Sequence, residues 1–458
     1  MRKYTLSKYL IFIDLEGTTL LFNGFTGNID VVSSDFGAKL KSNPAGGEVS
    51  FLTAGELEFM KRRGHVTNLS PSDEHTEFKK LVMEVHADLS KKAEPTGALM
   101  LLMSYGCNLS CPYCYQAGVR AARGPARMSE ELLDSLFGKH YRTLFPGVQP
   151  SALKISLYGG EPFLRTNLPL IKRVVNFAEK SNIRISAISN STDVSGVCDF
   201  LGPLPGMITN VQVTLDTSIM GQNGARSKGR QFDEIIKNIH LMLDRKVFLS
   251  IRMHVNGDNY QELSRVVDYL IEQEIVTHPF CYAYLAPIRE HSDPSVKDQY
   301  IDIKRDLFRE IGVKLGHPLN LEVQKMQAML TMKERRFATT TFCMLGKPNV
   351  YVADPFGDLY GCVEEAGNEA VRIGHVDGEK VSFFEMNGAY HKRNLCNLDK
   401  CLDCPFALLC GGGCAYHARR LKGSVLEPDC YNIKESLSEA IRYVYSQNSK
   451  ALKNRLGV

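Results

Sequence analysis

The chain has no run of 18 apolar residues, so no membrane-spanning helix is expected. Charge of one sign is equally scarce. Its 55 basic and 51 acidic residues leave a formal charge of +4, evenly spread, which gives no footing for nucleic-acid binding. Internal repeats and low-complexity tracts are missing. With 13 cysteines in 458 residues the chain is too thiol-poor for a small disulfide scaffold. At 44% apolar and 23% charged it has the composition of an ordinary globular protein, not a disordered one. No secretory signal opens it, because the short apolar stretch from Tyr9 to Ile13 is broken by Asp14 and Glu16. The expectation is a cytoplasmic chain with reduced thiols, whose cysteines serve as metal ligands or reactive groups. At roughly 150 residues per domain, its length predicts about three domains.

What is present is clustering. Cys107, Cys111 and Cys114 form one group, and Cys396, Cys401, Cys404, Cys410, Cys414 and Cys430 another. Cys343 and Cys362 lie just upstream of the second group, whereas Cys198 and Cys281 stand alone. The lone pair reads as buried small hydrophobes.

Periodicity divides the chain. Residues 1–92 read as a small α+β unit: β-rich runs at 9–13, 18–22 and 28–32 are separated by glycine turns and followed by helical patterns at 53–63 and 74–89. Residues 93–310 alternate. Strand-like runs at 98–105, 153–158, 183–188, 211–215, 248–255 and 280–285 are separated by amphipathic stretches such as 130–141, 168–180, 232–245 and 260–273, the last with Asn259 and Glu262 as its N-terminal cap. Six such units predict an α/β fold, an open partial barrel whose ligands bind at the carboxyl ends of its strands. Residues 311–440 form the next segment: the alternation is lost beyond about 311, and residues 340–430 are rich in glycine and cysteine, so metal is expected to supply part of their folding energy. Residues 441–458 close the chain as a helical tail, the helical pattern itself starting near 434.

The first cysteine group follows the first barrel strand directly. Three thiolates in a short loop hold three irons of a [4Fe–4S] cube and leave the fourth iron for a small chelating ligand, such as an amine and a carboxylate. Zinc would need a fourth protein ligand, and the nearest histidine, His140, lies far along in the next helix. The spacing C-x3-C-x2-C, with the aromatic Tyr113 before the last cysteine, resembles the signature of radical S-adenosylmethionine enzymes. Gly159-Gly160-Glu161-Pro162 ends the second strand, where that family carries a GGEP segment. The resemblance assigns Tyr113, Gly159, Gly160, Glu161, Asn190, Asp216 and Arg252 to binding S-adenosylmethionine. It names no catalytic side chain.

The later cysteines, with C-x2-C-x5-C-x3-C from Cys401 to Cys414, resemble the seven-cysteine SPASM domain, which holds two auxiliary [4Fe–4S] clusters. By that resemblance Cys401, Cys404, Cys410 and Cys430 hold one cluster, and Cys343, Cys362 and Cys414 hold the other. Asn349 stands where fully ligated relatives have a fourth cysteine; either Cys396 reaches in or an iron stays open. Three clusters and S-adenosylmethionine are thus the implied cofactors, with a flavodoxin- or ferredoxin-type electron donor.

What the resemblance implies is reductive cleavage of S-adenosylmethionine to a 5′-deoxyadenosyl radical that abstracts hydrogen from a substrate. The N-terminal unit looks like the leader-recognition domains of ribosomal-peptide maturases, so the expected partner is a precursor peptide. The first expectation is a thioether crosslink of the sactipeptide or ranthipeptide type. Carbon–carbon or carbon–oxygen crosslinks and sulfatase maturation to formylglycine are the alternatives. Sulfatase-maturing relatives carry an Asp after the second auxiliary cysteine, and here Val363 follows Cys362. A non-catalytic electron carrier would have no use for an open iron.

Overall fold

The computed structural model describes residues 3–43, 46–92, 95–111, 114–203, 206–215, 230–255, 260–287, 310–312, 314–315, 338–344, 347–430 and 433–456. Two compact units emerge. One comprises Met1–Ala93, Leu321–Met344 and Lys392–Val458; the other comprises Glu94–Asn320 and Leu345–His391.

In the first unit, β1 (Thr5–Leu6) pairs with β5 (Val66–Thr67). Strands β2 (Leu10–Leu15), β3 (Thr18–Asn23) and β4 (Ile29–Ser33) form a three-stranded antiparallel sheet, matching the three expected runs. Helix α1 (Ser34–Lys41) has no counterpart in the sequence reading. It is short and starts where the Ser33 side chain accepts a hydrogen bond from the Phe36 amide. Helix α2 (Ala54–Arg62) opens with a reciprocal capping box between Thr53 and Glu56, and α3 (Pro71–Lys92) runs three residues further at each end than its periodicity predicts. Leu10, Leu21, Leu40, Met60 and Val66 close the core of this segment.

In the second unit, β6 (Gly97–Leu102), β7 (Leu153–Tyr158), β8 (Ile185–Ser189), β9 (Ile208–Leu215), β10 (Phe248–Val255) and β11 (Cys281–Pro287) pair in sequence, all parallel. These are the six expected strands. Between them lie α4 (Ala117–Arg123), α5 (Glu130–Phe137), α6 (Tyr141–Leu144), α7 (Leu168–Ser181), α8 (Arg230–Asp244) and α9 (Tyr260–Glu272). Helix α7 shows why such stretches fold: Pro169 sits in its first turn, Leu170, Ile171, Val174, Val175 and Ala178 are buried on one face, and Asn182 ends it at φ 52°. Each large apolar side chain buried there contributes about 2 kcal/mol.

The sheet does not end at β6. Strand β12 (Val350–Ala353) pairs parallel to β6 on its outer side, and β13 (Asp358–Tyr360), β14 (Gly374–Val376) and β15 (Val381–Phe383) extend it antiparallel to ten strands. These strands are three or four residues long, too short for alternation to register in sequence. Helix α10 (Glu385–His391) completes the unit. Returning to the first unit, two 3-10 turns at Leu395–Asn397 and Asp399–Asp403 precede α11 (Ala407–Cys410), α12 (Ala415–Lys422) and the tail helix α13 (Ile433–Leu456). No helix among the described residues is long and apolar enough to cross a membrane.

Candidate functional site

Six parallel strands point their carboxyl ends to one edge of the sheet, and the motif residues of the second unit collect there. Cys107, Cys111 and Cys114 occupy the loop between β6 and α4. Cys111 is buried and the other two are half-buried. Tight turns shape the loop: the Cys114 amide donates to the Cys111 carbonyl at 3.1 Å, and the Ala117 amide to the Cys114 carbonyl at 3.0 Å. Burial pushes the Cys107 thiol up, and nearby Glu161 pushes it in the same direction. At Cys107 iron binding must therefore displace a more tightly held proton. Tyr113 lies outside the described residues. His140 Nε2 meets the Asp377 carbonyl at 3.0 Å.

The glycines are required by the backbone next to this loop. Gly159 and Gly160 sit at φ 84° and 48°, and a Cβ on Gly160 would lie 1.9 Å from the Gly106 carbonyl oxygen. The Glu161 amide donates to that same carbonyl at 2.9 Å, so the GGEP turn and the cysteine loop are hydrogen-bonded together. Glu161 is 3% exposed, and its carboxylate is already committed. One oxygen accepts from Ser189 Oγ at 2.7 Å and the Phe163 amide at 2.9 Å; the other accepts from the Asn190 amide at 2.7 Å. Its role here is to join the ends of β7 and β8. Asn190 continues the chain: Nδ2 donates to Asn108 Oδ1 at 2.9 Å and lies 3.8 Å from Cys107 Sγ.

Arg252 lies in β10 between Thr214 of β9 and Tyr284 of β11, and its charge bears on Tyr158 at the end of β7. Its Nε is buried and has no hydrogen-bond partner among the described residues. A buried donor of that kind calls for an acceptor, and a ligand carboxylate would be one. Asp216, the remaining sequence candidate, lies outside the described residues, as does Asn259. Three thiols, a glycine cradle and the unpartnered Nε of Arg252 fit an iron–sulfur cluster with an amino-acid chelate.

Sequence reasoning missed a polar bridge beside Cys114. Gln116 Oε1 accepts from the Gly160 amide at 2.7 Å, its Nε2 donates to Tyr115 Oη at 3.1 Å, and Tyr115 Oη donates to Tyr158 Oη at 2.8 Å. Burial raises Tyr115 well above its ordinary range and raises Tyr158 as well. Their adjacency to the two motifs was the only signal available.

In the first unit, four thiols gather. Burial, reinforced by Cys410, Cys430 and Cys404, pushes the Cys401 thiol up to about 12. Gly411, Gly412 and Gly413 all sit at positive φ, and a Cβ on Gly413 would lie 1.9 Å from the Asp429 carbonyl oxygen. Arg393, 9% exposed and unforeseen, staples this turn. Its Nη2 donates to the Gly412 and Gly413 carbonyls at 2.9 Å each, and Nη1 to the carbonyls of Val425 and Glu427, the latter at 2.7 Å. Cys396 packs beside the apolar cluster of Tyr9, Phe78, Leu395 and Leu402, and burial raises its thiol. Cys414 has neighbours the sequence did not suggest: its sulfur, a His417 nitrogen and an Asp429 oxygen lie within 4.8 Å of one another. Cys343 is exposed and in the first unit; Cys362 is half-buried and in the second. Burial pushes the Cys281 thiol up to about 12.

Residues 101–270 match the model of the Radical SAM superfamily. An uncharacterized protein of Archaeoglobus fulgidus is 24% identical over 331 residues, 71% of this chain and 76% of the relative. Among solved structures, anSMEcpe with bound AdoMet aligns at TM-score 0.57 and 20% identity, covering 79% of this chain and 97% of that one. Streptococcus suis SuiB bound to precursor peptide SuiA aligns at TM-score 0.51 and 16% identity, covering 93% and 99%. Both share the fold of this chain, and the stretch from 101 to 270 is a radical SAM domain.

Proposed function

We propose that the protein is a radical S-adenosylmethionine peptide maturase that installs an intramolecular crosslink, with a cysteine thioether as the product. The carrying observation is the meeting of the three-thiol loop, the glycine cradle at 159–160 and the unsatisfied Arg252 at the carboxyl edge of one parallel sheet. A [4Fe–4S] cluster held there with S-adenosylmethionine would supply radical chemistry on one-electron reduction. Cys107, Cys111 and Cys114 would hold the iron, the 159–160 backbone would receive the methionine moiety, and Arg252 would face its carboxylate. Glu161 and Asn190 fix the strand ends around it. Asp216 and Tyr113 keep their place in this reading from the sequence alone.

A peptide substrate is supported by the three-stranded N-terminal sheet. Among the described residues β4 pairs only with β3, leaving an edge on which an extended leader can add a strand. SuiB was solved with its precursor peptide and anSMEcpe with a peptide, proteins of the same fold. Cys401, Cys404, Cys410 and Cys430 would hold an auxiliary cluster. For the second cluster the proposal stays a ligand count: Cys343, Cys362 and Cys414 make three, and an open iron would take a substrate thiolate. Cys396 or His417 would close that position.

Two experiments test this reading. Anaerobically reconstituted protein should bind roughly twelve irons per chain as three cubes, and convert S-adenosylmethionine with dithionite to 5′-deoxyadenosine. With its precursor peptide, the product should be two hydrogens lighter, with a cysteine that no longer alkylates. Absence of 5′-deoxyadenosine defeats the radical reading. A cluster lost in Cys396→Ala or His417→Ala defeats the open-iron thioether model alone.

A further inference from the structure

The strand pair that extends the barrel beyond β6 carries a buried carboxylate that no part of the proposed chemistry uses. Asp354, just past the end of β12, is 0% exposed. Its two oxygens have separate tasks. Oδ1 accepts from the Phe356 and Asp358 amides, both at 2.9 Å, and thereby shapes its own turn, where Gly357 sits at φ 83°. Oδ2 reaches out of the turn instead. It accepts from Tyr105 Oη at 2.9 Å and lies 3.8 Å from Arg123 Nη1.

Tyr105 and Arg123 bracket the cysteine loop. Tyr105 precedes Cys107 by two residues and is fully buried with Leu102, Val352 and Tyr360. Arg123 is the last residue of α4, the helix that follows Cys114. Its guanidinium lies 3.7 Å from Asp358, stacks 4.6 Å from the Phe356 ring centroid, and pairs with Glu369. Asp358 is in turn held by Arg372 at 2.9 Å and His375 at 2.8 Å. One carboxylate oxygen therefore accepts a hydrogen bond from the residue entering the loop and pairs by charge alone, at 3.8 Å, with the residue ending the helix behind it, whose Nη1 makes no hydrogen bond among the described residues.

We propose that Asp354 is a positioning residue for the cysteine loop, holding the entrance through Tyr105 and the exit through Arg123 so that the three thiols stand ready before iron arrives. The inference rests on reading Cys107, Cys111 and Cys114 as cluster ligands, but its geometry is a property of the metal-free chain. Three thiolates must converge on one cube, and a loop anchored at both ends loses less conformational freedom when they do.

The divided carboxylate makes the idea testable. Asp354→Asn keeps an oxygen for the turn but presents an amide donor where Tyr105 needs an acceptor, and removes the charge facing Arg123. Tyr105→Phe breaks only the entrance contact and leaves the turn whole. In the full-length protein before reconstitution, hydrogen exchange of amides 106–123 should rise about tenfold in either variant, as expected for losing one hydrogen bond to a charged group. Exchange in β8 to β10 should stay unchanged. The double variant should exchange no faster than Asp354→Asn alone, because that change already removes the contact that Tyr105→Phe breaks. In reconstituted protein the reduced cluster's electron paramagnetic resonance signal should broaden and its iron pass to a chelator about tenfold faster. If Tyr105→Phe leaves exchange at 106–123 at the wild-type level, the proposal is overturned, even if Asp354→Asn unfolds. If exchange rises as proposed but no 5′-deoxyadenosine forms from the wild type, the clamp stands and the radical reading falls.

Discussion

The two cysteine-bearing regions solve the same problem in opposite ways. Around Cys107, Cys111 and Cys114, the scaffold is a parallel sheet of long apolar strands, with Leu99, Leu101, Ile155, Leu157 and Val213 buried in it. Around Cys401, Cys404, Cys410 and Cys430, regular structure shrinks to single 3-10 turns and a four-residue helix. There the backbone is held by a buried arginine and three left-handed glycines. The first site sits on a fold. The second is part of one.

The largest contrast should appear when thiols are removed. Replacing Cys107, Cys111 and Cys114 together by Ala should abolish S-adenosylmethionine cleavage while circular dichroism and the thermal midpoint of the second unit barely change. Replacing Cys401 and Cys404 should cost the first unit several kcal/mol, because metal bound only by the folded state is folding free energy. Equal destabilisation by the two replacements would erase the distinction drawn here.

Next in size is Arg393→Met. It fills similar volume but leaves four carbonyls without their donor and should destabilise the first unit by about 4 kcal/mol. Hydrogen exchange of amides 410–430 reads this directly. Loss confined to Cys430 and its neighbours would narrow Arg393's reach; no loss would mean that the glycine turn holds itself.

What could be read from sequence follows the same divide. The six parallel strands were legible because each is five to eight residues of apolar pattern bounded by turns. Cys107, Gly160 and Cys401 were legible because their spacing is constrained by chemistry. Strands β12 to β15 were not, being three or four residues long, β12 placed by pairing with β6 and the others by pairing in turn with one another. Nor was Arg393, since its acceptors are backbone carbonyls, and carbonyls carry no sequence signature. Gln116 and Asp354 escaped for a related reason: each joins segments far apart in sequence, and only the fold shows what they touch.

The smallest predicted effect sets one carboxylate from each region against the other. Asp354 is buried in the second unit, and burial raises its carboxyl from 3.8 to about 6 despite the Tyr105 hydrogen bond, with Asp358 adding to the rise. Asp403 lies at the surface of the first unit, where Lys8 at 2.7 Å and then His75 at 2.8 Å hold its carboxyl below the ordinary range. The signs are opposite. A raised carboxyl binds its proton more tightly in the folded state, so Asp354's contribution is complete below pH 3.8 and is lost as pH rises through about 6. A lowered carboxyl does the reverse, and Asp403 helps above its unfolded value and fades as pH falls. Arg123, Arg372 and His375 surround Asp354 and Asp358 and keep the raised group from being a free charge at neutral pH. The difference between wild type and Asp354→Asn cancels every other titration. That difference should shift against the wild type by about 2 kcal/mol between pH 4 and pH 7, since each unit of pKa displacement is worth about 1.36 kcal/mol and a small part of it is already lost at pH 4. Hydrogen exchange of the β6 and β12 amides, compared between the two proteins at each pH, measures it, while Asp403→Asn in the first unit should give a slope of the other sign. A flat difference for Asp354 would mean that its carboxylate is fully compensated by Arg123, and that burial has no net cost at the base of the cysteine loop.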